Sequence, residues 1–208
     1  MNAPSRLWIA LGLVPALLAA CGTPVAPATP ATPVAAAPLP STAITKGTAL
    51  VNPGFESTRP GARGDPEGWY SFQHAGDRSY RFVVDTAQPH SGERSLRIDN
   101  IGPEPYGAVA QIIEGAPHAG KLARLTAWMR TRDANDNGAV LTLLVLQSGA
   151  TLAQNFMLDK AVKGTTEWTR YTITLPVAKG ADRVEVGAMM RGKGSLWLDD
   201  VEVEFITP

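Results

Sequence analysis

The chain has 208 residues, and nineteen Lys and Arg balance nineteen Asp and Glu to a formal net charge of zero. That balance excludes a basic nucleic-acid binder held by phosphate contacts, so no nucleic-acid partner is expected, and it excludes an acidic solvating tail. A single cysteine, Cys21, excludes an intramolecular disulfide and a zinc site built on several thiolates.

Met1 to Arg6 gives a positive start, and Leu7 to Ala20 then runs 14 residues without a charge. This is the length of a signal-peptide apolar region and short of the about 20 residues that span a bilayer. The run ends in Leu18-Ala19-Ala20-Cys21-Gly22, which resembles the lipobox of bacterial lipoproteins. The resemblance implies that residues 1–20 are removed, that the Cys21 thiol is lipidated, and that several acyl chains anchor the protein stably. Gly22 in place of an aspartate implies, by the same resemblance, the outer membrane of the cell envelope, with the protein facing the periplasm.

Residues 21–45 read as the lipidated cysteine and a disordered tether. Gly22 to Thr45 holds six prolines, seven alanines, five threonines and no charge. Proline at 24, 27, 30 and 33 blocks helix and sheet and favours extended polyproline conformations. Such a segment spaces a domain away from its anchor.

Residues 46–208 are long enough for one core, and their periodicity is that of strands. Expected strands are Ala49–Val51, Trp69–Gln73, Tyr80–Asp85, Ser95–Asn100 and Ala108–Glu114. Leu122–Thr131 alternates, with Ala123, Leu125, Ala127 and Met129 opposite Arg124, Thr126, Trp128 and Arg130. Val140–Leu146 is apolar throughout, as in a central strand. Tyr171–Val177, Val184–Arg191 and Val201–Phe205 alternate again. Asn52-Pro53-Gly54, Pro89-His90-Ser91-Gly92, Gly102-Pro103 and Asp136-Asn137-Gly138 are turn signals, and Arg191-Gly192-Lys193-Gly194 reads as a hairpin. About ten short strands with no convincing long amphipathic helix indicate an all-β sandwich.

The segments Leu50-Val51-Asn52-Pro53-Gly54-Phe55-Glu56, Gly68-Trp69, His90-Ser91-Gly92, Leu125-Thr126-Ala127-Trp128-Met129-Arg130 and Leu198-Asp199-Asp200-Val201 occur in this order. The series resembles carbohydrate-binding modules of the galactose-binding-like jelly-roll group. Gly164 to Tyr171 and Gly192 to Val201 also resemble the β-sandwich that precedes the catalytic part of some tail-specific serine proteases and erythromycin-esterase-like proteins. The resemblance implies a jelly-roll β-sandwich. In the enzymes of that branch the catalytic residues lie outside the sandwich.

No Gly-x-Ser-x-Gly elbow, Walker or dinucleotide pattern occurs, and His74, His90 and His118 have no metal-ligand spacing. The histidines read as surface-loop residues, and no enzyme activity is expected. Period two places Trp197 and Asp199 in one phase with Val201, Val203 and Phe205, the buried one. A carboxylate there needs a partner. It is either hydrogen-bonded to amides or an arginine, or it holds a metal. The resemblance implies a structural calcium held by Glu56 and Asp199 with the chain near Ser91 and Glu93, so Glu56, Glu93 and Asp199 are the candidate metal ligands.

For ligand binding the candidates are Trp69, Tyr106, Trp128 and Arg130. Trp128 shares the polar phase of its strand with Arg130, where an exposed indole would stack on a sugar ring and a guanidinium would donate to its hydroxyls or carboxylates. Covering of Trp128 by a loop is the competing reading. Trp69, Tyr70 and Tyr106 would rim a cleft or plug the sandwich ends, and Trp168 and Trp197 read as core. Two functions follow: non-catalytic carbohydrate binding, or a protein-interaction module docking an envelope partner.

Overall fold

The computed structural model describes residues 50–208. Cys21, the signal peptide and the tether lie outside them. Eleven strands form two antiparallel sheets, with three short 3-10 turns and no α-helix among the described residues. The first sheet has β1 (Tyr70–Gln73), β4 (Tyr106–Glu114), β10 (Arg183–Arg191), β6 (Ala134–Gln147) and β7 (Ala150–Asn155) in that order, and β8 (Val162–Gly164) also pairs with β6. The second runs β2 (Tyr80–Asp85), β3 (Ser95–Asn100), β11 (Ser195–Ile206), β5 (Leu122–Arg132) and β9 (Thr169–Pro176).

Alternation explains the packing. Leu125, Ala127 and Met129 of β5 face Val184, Val186 and Ala188 of β10 across one continuous core, with Ile98, Val109 and Leu143. Burying each such side chain removes apolar surface worth about 1.5–3 kcal/mol. The expected all-β sandwich is the observed fold. Strands β2 and β3 have the expected bounds; β4, β5, β6, β10 and β11 run longer than expected, β1 starts one residue later at Tyr70, and β9 starts two residues earlier and ends one earlier.

Four differences have physical causes. Of the expected strand Ala49–Val51, Ala49 lies outside the described residues, and Leu50 and Val51 form no strand. The Gln111 side chain takes the place of a ladder, accepting from the Val51 N–H at 2.8 Å and donating to its carbonyl at 2.9 Å. Asp136-Asn137-Gly138 is no turn; it sits inside β6 at a register irregularity between Ala134 and Ala139. The 191–194 segment is no hairpin either, because β10 and β11 lie in different sheets, and Gly192 and Gly194 (φ 76° and 113°) carry the chain across. Strands β7 and β8 are short and lack the alternation that marks the others.

His118 is not a surface residue: it is buried, with its ring stacked on Phe205 at 3.6 Å.

Gly187 lies where β10 meets both β4 and β6. A Cβ there would come 2.1 Å from the Val109 carbonyl oxygen and 3.0 Å from the Ala110 Cα. Backbone cannot yield as a side-chain tip does. Gly187→Ala should therefore destabilise the domain by ~1–3 kcal/mol and lower Tm by about 3 °C or more. A calorimetric Tm equal to wild type would show that the two sheet strands adjust freely.

Candidate functional site

Strand β11 organises the outer surface of the second sheet. Leu196 and Leu198 face the core, as do Val201 and Val203, yet these two pairs are three residues apart, an odd spacing. A β-bulge between Asp199 and Glu202 makes the change of phase, with Asp200 at φ 46°. Trp197 and Asp199 do share a phase, but it is the outer one. The extrapolation of period two through this point is corrected by the bulge.

Asp199 is nonetheless fully buried, at 0% exposure. The 86–94 loop covers it. Its Oδ2 accepts from the amides of His90 at 2.9 Å and Ser91 at 3.2 Å, and its Oδ1 from the Asp200 amide at 2.8 Å. Beside it, Asp200 Oδ2 meets His90 Nδ1 at 2.6 Å and Asp200 Oδ1 accepts from the Ser91 hydroxyl at 2.8 Å. Glu56 holds the far end of the loop, accepting from the amides of Glu93 at 2.9 Å and Arg94 at 3.1 Å. Gly92 (φ 60°) fits because a Cβ would strike the Glu56 carboxylate. Burial pushes Asp199 up from its ordinary 3.8 to about 6, and the Asp200 charge adds to this, while the amides oppose it.

Glu56 and Asp199 therefore meet the same loop, as expected, through hydrogen bonds to its amides. Glu93 supplies its N–H and is exposed. Among the described residues no set of three or more His, Cys, Asp or Glu side chains is disposed to hold a metal ion. A donor set already bound to five amides fits a loop clasp better than a calcium shell.

The clasp lays aromatic rings over the sheet. The His90 ring stacks on Trp128 at 3.8 Å and 17°, and its edge lies 5.8 Å from Trp168. Loop residue Gln88 accepts from the Trp168 indole through its carbonyl at 3.2 Å and from Arg130 through its side chain at 2.6 Å. Next along the face, the guanidiniums of Arg130, Arg132 and Arg97 lie 4.6, 5.2 and 5.7 Å from the Trp197 ring. They cover Trp197 to 3% exposure. Its indole N–H donates to Asp85 at 2.9 Å. Burial opposes ionisation of Asp85, but the Ala87 amide, this indole and Arg97 outweigh it and hold the carboxyl below its ordinary value.

An open groove of ≈ 350 Å³ borders Trp128, with Pro53, Gly54, Arg170, Asp200 and Glu202 on its walls. Arg170 and Glu202 pair across it at 3.1 Å.

The four expected ligand residues do not converge. Trp128 and Arg130 share this face, both partly exposed. Trp69 is core: it is 2% exposed, its ring lies 5.1 Å from Phe55, and its indole donates to the Asn52 carbonyl. Tyr106 belongs to the other sheet, edge-on to His74 at 5.7 Å. Trp168 and Trp197 are not core residues; both lie on the outer layer. Gln88 and Arg132 carry no motif, His90 enters the sequence reading only as part of a turn and of the His90-Ser91-Gly92 segment, and only the fold brings the three to the tryptophans. The outer face of the first sheet holds a separate polar pair, in which the buried Tyr70 hydroxyl donates to Glu185 at 2.7 Å and burial raises the pKa of both groups.

No family model matches the chain. An uncharacterised HTH-type transcriptional regulator of Bacillus subtilis (strain 168) is 23% identical over 137 residues, which are 62% of this chain and 46% of that protein. The chain thus spans about half the length of this curated relative. Among solved structures, the Stig cyclase Fisc from Fischerella sp. TAU has a TM-score of 0.56 at 12% identity, with 76% of this chain and 98% of that one covered. The enzymatically active domain of bacteriophage CBA120 tailspike protein 4 has a TM-score of 0.54 at 17% identity, over 74% of this chain and 22% of that one. A carbohydrate-binding module of family 61, solved with β-1,4-galactotriose, has a TM-score of 0.49 at 18% identity, over 75% and 97%. At such identities the likeness is one of fold.

Three results are expected of the clasp. Because Asp199 holds its proton up to about pH 6 in the fold and to near pH 4 when unfolded, its contribution to stability is full below about pH 4 and is lost as pH rises through 6. A carbon-13 titration of the Asp199 carboxyl should have its midpoint near pH 6, and a midpoint under 4 contradicts this. Asp199→Ala should cost about 3 kcal/mol or more, since it leaves buried amides unpaired. Millimolar calcium or a chelator should leave the wild-type Tm unchanged. A rise of several degrees in calcium would instead assign Glu56 and Asp199 the ligand role that the resemblance implies.

Proposed function

We propose that the protein is a non-catalytic, carbohydrate-binding lipoprotein of the bacterial cell envelope. Its sandwich binds glycan on the outer face of the second sheet, and a lipid on Cys21 anchors it to the outer membrane. The observation that carries the glycan reading is the partly exposed Trp128 ring, backed by His90 at 3.8 Å and bordering a groove walled by Arg170, Asp200 and Glu202. A sugar presents C–H groups to an indole face and hydroxyls to charged side chains at its edge, so ring and rim together supply both kinds of contact. His90 fixes the indole before ligand arrives, which lowers the entropy cost of binding.

The non-catalytic part of the reading rests on the resemblance to carbohydrate-binding modules, in whose enzyme-bearing branch the catalytic residues lie outside the sandwich. The lipobox of Leu18 to Cys21 and the charge-free, proline-rich stretch to Thr45 support the anchor and the spacing. A structural calcium at Glu56 and Asp199 is an addition this reading does not require.

The test is binding of the full chain, in mild detergent, to an array of glycans and peptidoglycan fragments. Trp128→Ala should weaken binding at least tenfold and lower Tm by no more than a few degrees, since the ring is partly exposed. Absence of binding by the folded protein to the whole array would favour docking of an envelope protein on the same face, to be sought by cross-linking. Separately, radiolabelled palmitate should enter the wild-type protein and not Cys21→Ser, which should also leave the membrane fraction. Equal labelling of both would remove the anchor.

A further inference from the structure

Four arginines and two aspartates share the part of this face around Trp197. Arg97 is neutralised on both sides, by Asp85 at 2.6 Å and Asp99 at 3.1 Å, and Arg81 also binds Asp99, at 2.9 Å. Arg130 and Arg132 have no carboxylate within 4.0 Å among the described residues. Arg130 donates only to the neutral Gln88, at 2.6 Å, and Arg132 is exposed. Both guanidiniums lie within about 5 Å of the same indole, so attraction to the ring restrains them while no carboxylate occupies their N–H groups. A planar guanidinium held this way is prepared for two-pronged binding of a carboxylate, and it is more weakly hydrated than an ammonium.

The two positions alternate with Trp128 along β5, so Trp128, Arg130 and Arg132 follow one another on one face at about 6.6 Å intervals. A chain lying along the strand would meet first a stacking ring and then two unpaired cations.

We infer that this face selects an acidic glycan, with uronate carboxylates bound by Arg130 and Arg132 over Trp197 and a sugar ring stacked on Trp128. The inference rests on the carbohydrate reading above and adds the ligand's charge class. The charge at the Trp128 end agrees with one polarity of binding. There Glu202 is paired with Arg170, and Asp200 with His90, so that end favours a ring and its hydroxyls over a carboxylate.

The probes are uronate polymers (galacturonan, alginate and hyaluronan), each beside the same polymer with its carboxylates reduced to alcohols, and a single-stranded DNA oligonucleotide as a charge control. Binding to the full chain is followed by titration calorimetry at 50 and 300 mM salt. At least one uronate polymer should bind tenfold or more tightly than its reduced form, and added salt should weaken it. The double variant Arg130→Gln/Arg132→Gln, with its Tm measured alongside, should lose that preference and bind the acidic and reduced polymers with equal affinity. Arg132→Lys should recover part of it.

Equal binding of acidic and reduced forms, lost in Trp128→Ala and unchanged in the double variant, overturns the acidic selectivity and leaves the carbohydrate reading standing. Absence of binding to any polymer, acidic or reduced, by the folded protein overturns both. DNA bound as tightly as the uronates also overturns the inference, because the face would then be reading charge alone.

Discussion

One buried carboxylate sets the geometry of the outer face. Asp199 sits at a bulge in a central strand, where the chain has an extra residue and local amides lose their ladder partners. Its two oxygens take up the Asp200 amide and the two loop amides of His90 and Ser91. An unpaired buried amide costs about 1–3 kcal/mol, so the loop has a definite place to land. Glu56 fixes the other end of the same loop through two more amides. The carboxylates thus act as fasteners. The rings and side chains that face solvent are positioned as a consequence: His90 on Trp128, and Gln88 between Trp168 and Arg130.

The second constraint is how a tryptophan becomes buried outside a core. Trp197 is not between the sheets. It lies on the outside and is covered by the stems and guanidiniums of three arginines. Long cationic side chains cover apolar surface while their charged ends stay wet. The cation–ring attraction is about 0.5–2 kcal/mol for each contact, depending on desolvation. The indole N–H and Arg97 both turn to Asp85, which explains why that carboxyl ionises easily although it is buried. The result is a rigid, polar layer over a sheet, built without a lid.

The fold was legible in the sequence because most strands carry one buried face, and period two then gives both the strand and its orientation. Leu122–Thr131 is the clearest case, with all four alternate apolar residues in the core. What escaped had a local physical cause. Strands β7 and β8 are short and send only Ala153 and Val162 toward the core, too few for an alternation to be read. Asp136-Asn137-Gly138 looks like a turn because Gly138 does have a positive φ, of 66°, but it bends β6 and does not end it. At Asp199 the phase inferred from Val201 fails by one residue, since a bulge leaves no compositional mark beyond the paired aspartates. The burial of Asp199 and its meeting with the chain near Ser91 were anticipated, though the hydrogen bonds to the His90 and Ser91 amides that fasten the loop are one of two alternatives the sequence leaves open. Of the ligand candidates, Trp128 and Arg130 were found by alternation. Trp69 and Tyr106 were chosen by their glycine and proline neighbours, a signal that marks strand ends and does not say which face a ring joins.

The two outer faces of the sandwich differ in kind, and the difference follows from what each strand pair can satisfy internally. On the first sheet Tyr70 and Glu185 close on each other at 2.7 Å, and Phe72, Ala110 and Ile112 pack beside them. Burial raises the pKa of both groups, and their mutual hydrogen bond engages the polar atoms that a ligand would otherwise meet. On the second sheet the aspartates are spent on Arg81, Arg97 and the Trp197 indole. Arg130 and Arg132 are left in excess, and Trp128 has one ring face taken by His90. A surface whose polar groups are mutually satisfied has little to gain from a partner. A surface with unpaired donors beside a fixed ring gains from any molecule that supplies acceptors at that spacing, and this asymmetry is the physical ground for the proposal of recognition on the second sheet.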